Sequence, residues 1–466
     1  MTVLSQQIEM LEAAAPLELR GTVVEVRGLA LRVADLPVPI GSMVRITPRG
    51  GRQQSSFVLE GEVVGFDEDV TIVMPFGELT GVKRGDRVIA TQFAQYVRVG
   101  EALLGRVLDG LGRPIDHLGP VGDTVARPLN PKPVDPLDRP RIDEPLATGV
   151  RAVDTMMSVG RGQRVGVFAG PGMGKSTLLG MMAKHTAADV SVIALVGERG
   201  REVKDFVEGI LGAEGLARSV VVVATSDEPA LVRIRSALVA TAIAEFFRDQ
   251  GLDVLMIMDS VTRFCQAQRQ VGLAAGEPPT TKGFPPSVFA MLPRLLERSG
   301  RTNKGSITGL YSILVEGEDM TEPVADACRG ILDGHIQLSR KLAEQGHYPA
   351  IDVLGSVSRV MDDVTMLDHQ KARREIIKLL SSYAQVEDLL NIGAYTPGSN
   401  PDFDLAIACK PAIDRVLQQT RDFDPELSNF ERTRAMLLAL NSNMDSARQQ
   451  LAQQQLGMQT NMQMPS

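Results

Sequence analysis

Residues 169–177 read AGPGMGKST. Three glycines and a proline make this a poor stretch of helix or strand. Yet apolar chain flanks it, RVGVFA (164–169) on one side and LLGMMA (178–183) on the other. A strand, a glycine-rich turn and a helix ending the turn in Lys-Ser are the setting of a phosphate loop. The strict pattern has glycine at position 169, where this chain carries Ala169. Gly170 follows directly and is expected to take the tight position. In this reading the backbone N–H groups of Ala169, Gly170, Pro171's neighbours, Gly172, Met173 and Gly174 surround a phosphate, helped by the helix N-terminus (Pro171 itself has no N–H). Lys175 reaches the β and γ phosphates and the Ser176 hydroxyl ligates magnesium. Thr177 is left for packing or an α-phosphate contact. The competing reading is a surface glycine turn with an incidental lysine.

Two further stretches extend the first. In VLMIMDSVTRF (254–264), Asp259 ends an apolar run of strand length. A carboxylate at the C-terminal end of a buried strand lies where open α/β sheets bind ligands, and it can hold magnesium through water. In VIALVGERGREVKDF (192–206), Glu198 and Arg199 also follow an apolar run directly. Hydrolysis of a phosphoanhydride needs a carboxylate for the water and a cation for the charge growing on the γ-phosphate. Glu198 fits the first role and Arg199 the second. A surface ion-pair cluster with Arg201 and Glu202 is the alternative.

Composition limits the remaining possibilities. With 466 residues and 44% hydrophobic content, the chain is long enough for several domains and a large core. Asp plus Glu (57) exceed Lys plus Arg (49), which argues against a general nucleic-acid-binding surface. The N-terminus lacks a signal-peptide pattern, and no run is long and apolar enough to span a bilayer. Cys265, Cys328 and Cys409 lack metal-ligand spacing, as do the 5 histidines, so buried thiols are expected.

The expected architecture is multidomain. Residues 1–18 carry Leu4, Ile8 and Leu11 on one helical face, a helix for a partner or for its own domain. Residues 19–95 hold β-rich runs (TVVEV, MVRI, FVLEGEVVGF, VTIVMPF and DRVIA), a small β-barrel. Residues 96–148 are proline- and glycine-rich, a connector rather than a packed unit. Residues 149–360 alternate apolar strands with helical patterns, an α/β ATPase domain with a mostly parallel sheet. Residues 361–441 read as a helical C-terminal domain, and 442–466 as a Gln/Met-rich tail, frayed or disordered.

GERGREVKDFVE (197–208), DSVTRFCQAQRQVG (259–272), GEPPTTKGFPPSVFAMLPRLLERSG (276–300), ILDGHIQLSRKLAEQGHYPAIDVLGSVSRVM (331–361) and IGAYTPGSNPDFDLAI (392–407) together resemble the ATPase of type III protein export. This family includes the flagellar export ATPase and its virulence-secretion relatives, and is related to the catalytic subunits of rotary ATP synthases. The likeness covers roughly residues 20 to 440. It implies ATP and Mg²⁺ as cofactors and a homohexamer with sites between neighbours. Glu198 resembles the catalytic carboxylate and Arg199 its γ-phosphate contact. Arg263 resembles an arginine close to the active site. Arg359 resembles the finger that enters the neighbouring subunit's site, and Tyr348 the aromatic that packs on adenine. The implied partners are a stator-like ATPase regulator, a coiled-coil stalk protein, a membrane-embedded export gate, and export chaperones with their substrates, with no nucleic acid. The implied place is cytoplasmic, peripheral to the inner-membrane export apparatus. Motif likeness favours the flagellar branch. The alternatives are a virulence-type secretion ATPase, a rotary ATP synthase catalytic subunit and an RNA-dependent ring motor.

Overall fold

The computed structural model describes residues 19–48, 58–421 and 429–462, so the helix expected over 1–18 lies outside the described residues. Six strands form the N-terminal barrel: β1 (Arg20–Arg27), β2 (Ala30–Ala34), β3 (Met43–Thr47), β4 (Leu59–Asp67), β5 (Val70–Pro75) and β6 (Arg87–Gln92). They pair in the order β1-β2-β5-β4-β3-β6, and β6 closes on β1. Alternate side chains, among them Val23, Val33, Val44, Ile46, Val63 and Val88, fill the interior. Five of these strands were legible as β-rich runs. β2 was not, because only Gly28 and Leu29 separate it from β1. Gly28 makes that reversal in the left-handed region, at φ 59°.

The central sheet contains β7 (Val107–Asp109), β8 (Arg164–Ala169), β9 (Val190–Glu198), β10 (Ser219–Thr225), β11 (Asp253–Asp259), β12 (Ser306–Leu314), β13 (Gly334–Leu338) and β14 (Ile351–Ser358). Their order is β14-β13-β8-β12-β11-β9-β10-β7, and a short ninth strand, Gly300–Arg301, pairs with β12. From β13 to β7 all neighbours on this path run parallel; β14 is antiparallel to β13. Period-two alternation sorts the interior into two layers. On β9, Val190, Val192, Ala194 and Val196 face one core, and Ile193 and Leu195 face the other. β10 and β11 divide in the same way.

Helices cover both faces. They include α1 (Lys175–His185), α2 (Ala230–Asp249), α3 (Val261–Ala274), α4 (Leu367–Asn391), α5 (Pro401–Leu417) and α6 (Phe430–Met462). Residues of α2 and α3 share the first core. Those of α1, α4, α5 and α6 share the second, so the C-terminal helices are continuous with the ATPase interior. Asn400 caps α5 by accepting from the N–H groups of Asp402 and Phe403, with Pro401 at the first helical position. The barrel sits against α2 and the segment after β7. The Arg235 guanidinium lies over the Phe76 ring and 3.8 Å from Glu62, and Arg113 pairs with Glu60.

Two sequence expectations change here. The segment 96–148 is more than a connector. β7 is the edge strand of the central sheet, and Val97, Val99, Leu103, Leu108 and Leu129 are buried in its core. Prolines between these residues hid their packing role. The boundary drawn at 442 is not a break either. α6 runs from Phe430 to Met462, with Leu437, Leu440 and Met444 buried on one face. Cys265, Cys328 and Cys409 are free and buried.

Candidate active site

Because β8, β9 and β11 run parallel, their C-terminal ends emerge on one edge of the sheet. This brings the phosphate loop, Glu198 and Asp259 together, although β12 intervenes between β8 and β11. The loop turns through Gly172 and Gly174, both left-handed, at φ 80° and 84°. These positions, not Gly170, carry the conformations that demand glycine. Gly170 is instead packed against Met173, whose Cε lies 2.9 Å from where a Cβ would stand. Ala169 is tolerated because it is still strand. Its methyl faces the core, its carbonyl accepts from Val315, and it is paired with Leu314 of β12.

Gly174 precedes α1, whose first turn contains no acidic residue, so its positive end is uncompensated from within. Lys175, the first residue of α1, turns its ammonium toward the neighbouring strand ends. Nζ hydrogen-bonds Asp259 Oδ1 and lies 3.9 Å from Glu198 Oε1. The three side chains are only 10%, 3% and 16% exposed. Glu198 Oε1 is buried without a hydrogen-bond partner. Burial, then the Asp259 charge, pushes the Glu198 carboxyl up to about 7, against the pull of Lys175. Ser176, Glu198, Glu202 and Asp259 line one small cavity of about 110 Å³.

Glu198 owes its direction to a bulge. The β9–β10 register shifts between Val196 and Glu198, with Gly197 left-handed at φ 73°. A Cβ at Gly197 would stand 2.9 Å from Arg263 Cβ. Arg263 thus lies against the backbone that aims Glu198, and its Nη1 donates to Gln266. Arg199 points elsewhere. Its side chain is 81% exposed and Nη1 is 3.3 Å from Glu202.

On the outer side of the loop a cavity of about 990 Å³ opens between Gly172, Gly174, Thr177, Tyr348 and the segment after α5. The Tyr348 ring rests 3.5 Å from the Cβ position of Gly174. An aromatic beside a phosphate loop can stack a flat base.

Phosphate loop, buried strand-end carboxylates and the Tyr348 ring lie together, and comparison with known proteins supplies the lineage. The chain is 51% identical over 420 residues to the type 3 secretion system ATPase of Xanthomonas euvesicatoria, covering 90% of this chain and 93% of that protein. It is 49% identical over 441 residues to the flagellum-specific ATP synthase of Bacillus subtilis, covering 94% and 98%. The chain belongs to the type III export ATPase family. The profile of the ATP synthase alpha/beta family, nucleotide-binding domain, matches residues 149–358, and that family's beta-barrel domain matches 20–92. The T3SS EscN ATPase C-terminal domain matches 365–439. The assembled ATPase EscN from the enteropathogenic E. coli type III secretion system superposes with a TM-score of 0.83 at 43% identity, over 90% of this chain and all of that one. EscN in complex with its central stalk EscO gives 0.81.

In this export ATPase the remaining expected residue, Arg359, is far from its own phosphate loop. β14 is antiparallel to β13, so Arg359, just past the end of β14, lies at the opposite edge of the sheet. It is exposed, and its guanidinium donates to the Arg329 carbonyl at 3.2 Å. Sequence reasoning missed the groups that hold Tyr348. The Gln419 N–H donates to the Tyr348 carbonyl, and the Gln419 side chain bridges the Arg151 N–H and the Gly149 carbonyl at 2.9 and 2.8 Å. Nothing in QQT (418–420) marks it, since the partners lie some 270 residues upstream.

Proposed function

We propose that a homohexameric ring of this export ATPase hydrolyses ATP to energise or regulate type III protein export. The supporting observation is the Lys175 ammonium set between Asp259 and Glu198 at the mouth of the phosphate loop. A lysine so placed meets the γ-phosphate, and two carboxylates are at hand for metal and water. Gly170 and Gly172 to Thr177 cradle the phosphates through backbone N–H groups and the α1 N-terminus. Tyr348 stacks the adenine. Glu198 is the general base: it orients the attacking water and takes its proton on Oε1. A carboxyl near 7 is well matched to that task. Arg263 packs behind Glu198 and steadies it. Arg199 contacts the γ-phosphate once its side chain leaves Glu202.

Ser176 and Asp259 are the ligands of Mg²⁺. They share one cavity, and among the described residues no group of three or more His, Cys, Asp or Glu could hold a metal by itself. Such a sparse oxygen set suits an ion that takes its other ligands from phosphates and water. When bound, the ion neutralises charge on the phosphate oxygens.

Arg359 serves the next subunit. Its position at the opposite edge from its own loop supports this role, since a finger must reach a site that its own chain does not complete. The likeness to assembled EscN, and to EscN with its stalk EscO, supports a ring around a coiled-coil stalk. The regulator, export gate, chaperones and substrates are further proposed partners. No described helix is long and apolar enough to cross a membrane, and a cytoplasmic place beside the inner-membrane export apparatus is proposed. Flagellar export is the working branch. Restored motility in a strain lacking its flagellar export ATPase checks that choice; restored needle-type secretion alone would transfer the chain to the virulence branch.

Mixed rings test the trans geometry. Arg359→Ala has a working loop and no finger, and Lys175→Ala has the reverse. Each interface where an Arg359→Ala loop meets a Lys175→Ala chain's finger is complete, so activity recovers partly on mixing. A crosslink from position 359 that reaches its own chain's loop, and never a neighbour's, defeats the reading.

A further inference from the structure

Gln163 is the residue before β8, the strand that leads to the phosphate loop. Its side chain is fully buried. The amide is used at both ends. Oε1 accepts from the Gly160 N–H at 2.9 Å, and Nε2 donates to the Asp333 carbonyl and to Ser358 Oγ, each at 3.1 Å. The Arg359 N–H donates to that same Asp333 carbonyl at 2.9 Å. Ser358 Oγ in turn donates to the Ser158 carbonyl at 2.8 Å.

This arrangement closes a gap in the sheet. The β13–β14 ladder ends with Gly334 opposite Ser358, so Arg359 stands one residue beyond regular pairing. Only the Asp333 carbonyl holds its N–H, and the Ser358 hydroxyl holds the residue before it. One buried amide grips both anchors. The Asp333 side chain adds to the fixture by accepting from Arg164 Nε and Nη2 at 2.9 and 3.0 Å. A residue that must deliver a guanidinium across an interface gains from a backbone fixed before the partner arrives.

We infer that Gln163 is the positioning residue for Arg359, holding the strand end from which the finger reaches the neighbouring site. This rests on the trans role of Arg359. It also differs from a plain core role. Gln163 directly precedes β8, so a structural defect there would travel along the strand to its own phosphate loop and weaken nucleotide binding in cis. A positioning defect leaves that loop intact and lowers turnover only at the interface.

The experiment compares Gln163→Ala, Arg359→Ala and the double variant, as rings verified by mass. Steady-state kinetics and binding of a non-hydrolysable ATP analogue are measured on each. Gln163→Ala is expected to lower kcat about tenfold, with KM and analogue affinity within about two-fold of wild type. Adding it to Arg359→Ala is expected to cost less than about two-fold more, because its effect passes through the finger. A multiplicative loss in the double variant overturns the inference, as does a Gln163→Ala defect seen mainly in analogue binding. Arg359→Ala with wild-type turnover identifies a different failure, that of the trans finger itself. If Gln163→Ala does not assemble, Ser358→Ala removes one anchor alone and is read by the same criteria, with an expected loss of about three-fold in kcat.

Discussion

The two edges of the central sheet carry opposite kinds of chemistry. At one edge, Lys175, Glu198 and Asp259 are nearly buried, and their charges act on one another. At the other, Arg359 is exposed and its guanidinium rests on a carbonyl. Arg329 is its neighbour there, and burial together with these two arginines keeps the His335 imidazole below its ordinary value, although its bond to the Gly355 carbonyl acts the other way. One edge encloses Lys175 between two buried carboxylates; the other presents the exposed guanidinium of Arg359. Strand β8 joins them. At about 3.3 Å per residue, its span is about 17 Å. The phosphate loop is at one end, and at the other Arg164 braces the Asp333 that holds Arg359. The difference teaches why the proposed site needs two chains: Arg359 stands at the opposite edge from its own phosphate loop. In the proposed ring, Arg359 of one copy adds a second cation beside Lys175 of the next.

The strongest way to break the first edge is Lys175→Ala. It removes the point charge between the two carboxylates, and turnover should fall by about 10³-fold or more, with weaker triphosphate binding. Phosphate release within about two-fold of wild type would end the phosphate-loop assignment. Breaking the second edge comes next. Arg359→Ala should lower kcat by about 10²- to 10³-fold while ATP binding stays near normal, as expected for a finger supplied in trans. A parallel loss of binding would mean that the residue serves its own fold.

Glu198→Gln sharpens the comparison within the first edge. It keeps shape and removes the charge, so ATP should bind while turnover drops about 10²-fold. Its pH behaviour gives a second signature. The wild-type rate should fall on acidification through about 7, as Glu198 takes up a proton. Stability should move the other way. The folded state holds that proton more tightly than the unfolded chain, whose carboxyl titrates near 4.5. The contribution is full below that value and is lost as pH rises through about 7. Glu198→Gln should therefore gain melting temperature relative to wild type at pH 8 and not at pH 4. An equal difference at both values would contradict the raised carboxyl.

The smallest effect is expected at Arg199. Its exposed pair with Glu202 is worth at most about 1 kcal/mol, so Arg199→Ala should leave the melting temperature almost unchanged. Turnover should fall about tenfold if the side chain swings to the γ-phosphate. Unchanged turnover would leave Arg199 as a surface pair.

What was legible follows from how local each signal is. Apolar runs ending in Asp259 and Glu198 expose both the strands and the carboxylates, because a parallel sheet puts all such ends on one edge. The phosphate loop is a contiguous pattern and reads directly. Arg359 is different. Its place depends on β14 running against β13, a tertiary fact that no spacing encodes, and it was reached only through family resemblance. Gln163 and Gln419 were not found, since each bonds to groups more than 150 residues away. β12 is an apolar run of strand length, SITGLYSIL, but nothing in it marks its place between β8 and β11. The helix across 442 was hidden by composition. Leu437, Leu440 and Met444 keep helical spacing through the Gln- and Met-rich region.

One consequence of the barrel concerns how copies of this chain would meet in the proposed ring. Sheet proteins brought together at high local concentration risk templating each other through unpaired strands, which leads to open-ended fibres. Here β6 returns to β1, so among the described residues the barrel's own strands leave no flank for another chain to extend. A closed barrel set against an identical one cannot extend the neighbour's sheet. A repeated contact of fixed angle gives a closed circle where its rotation closes and an open helix where it does not.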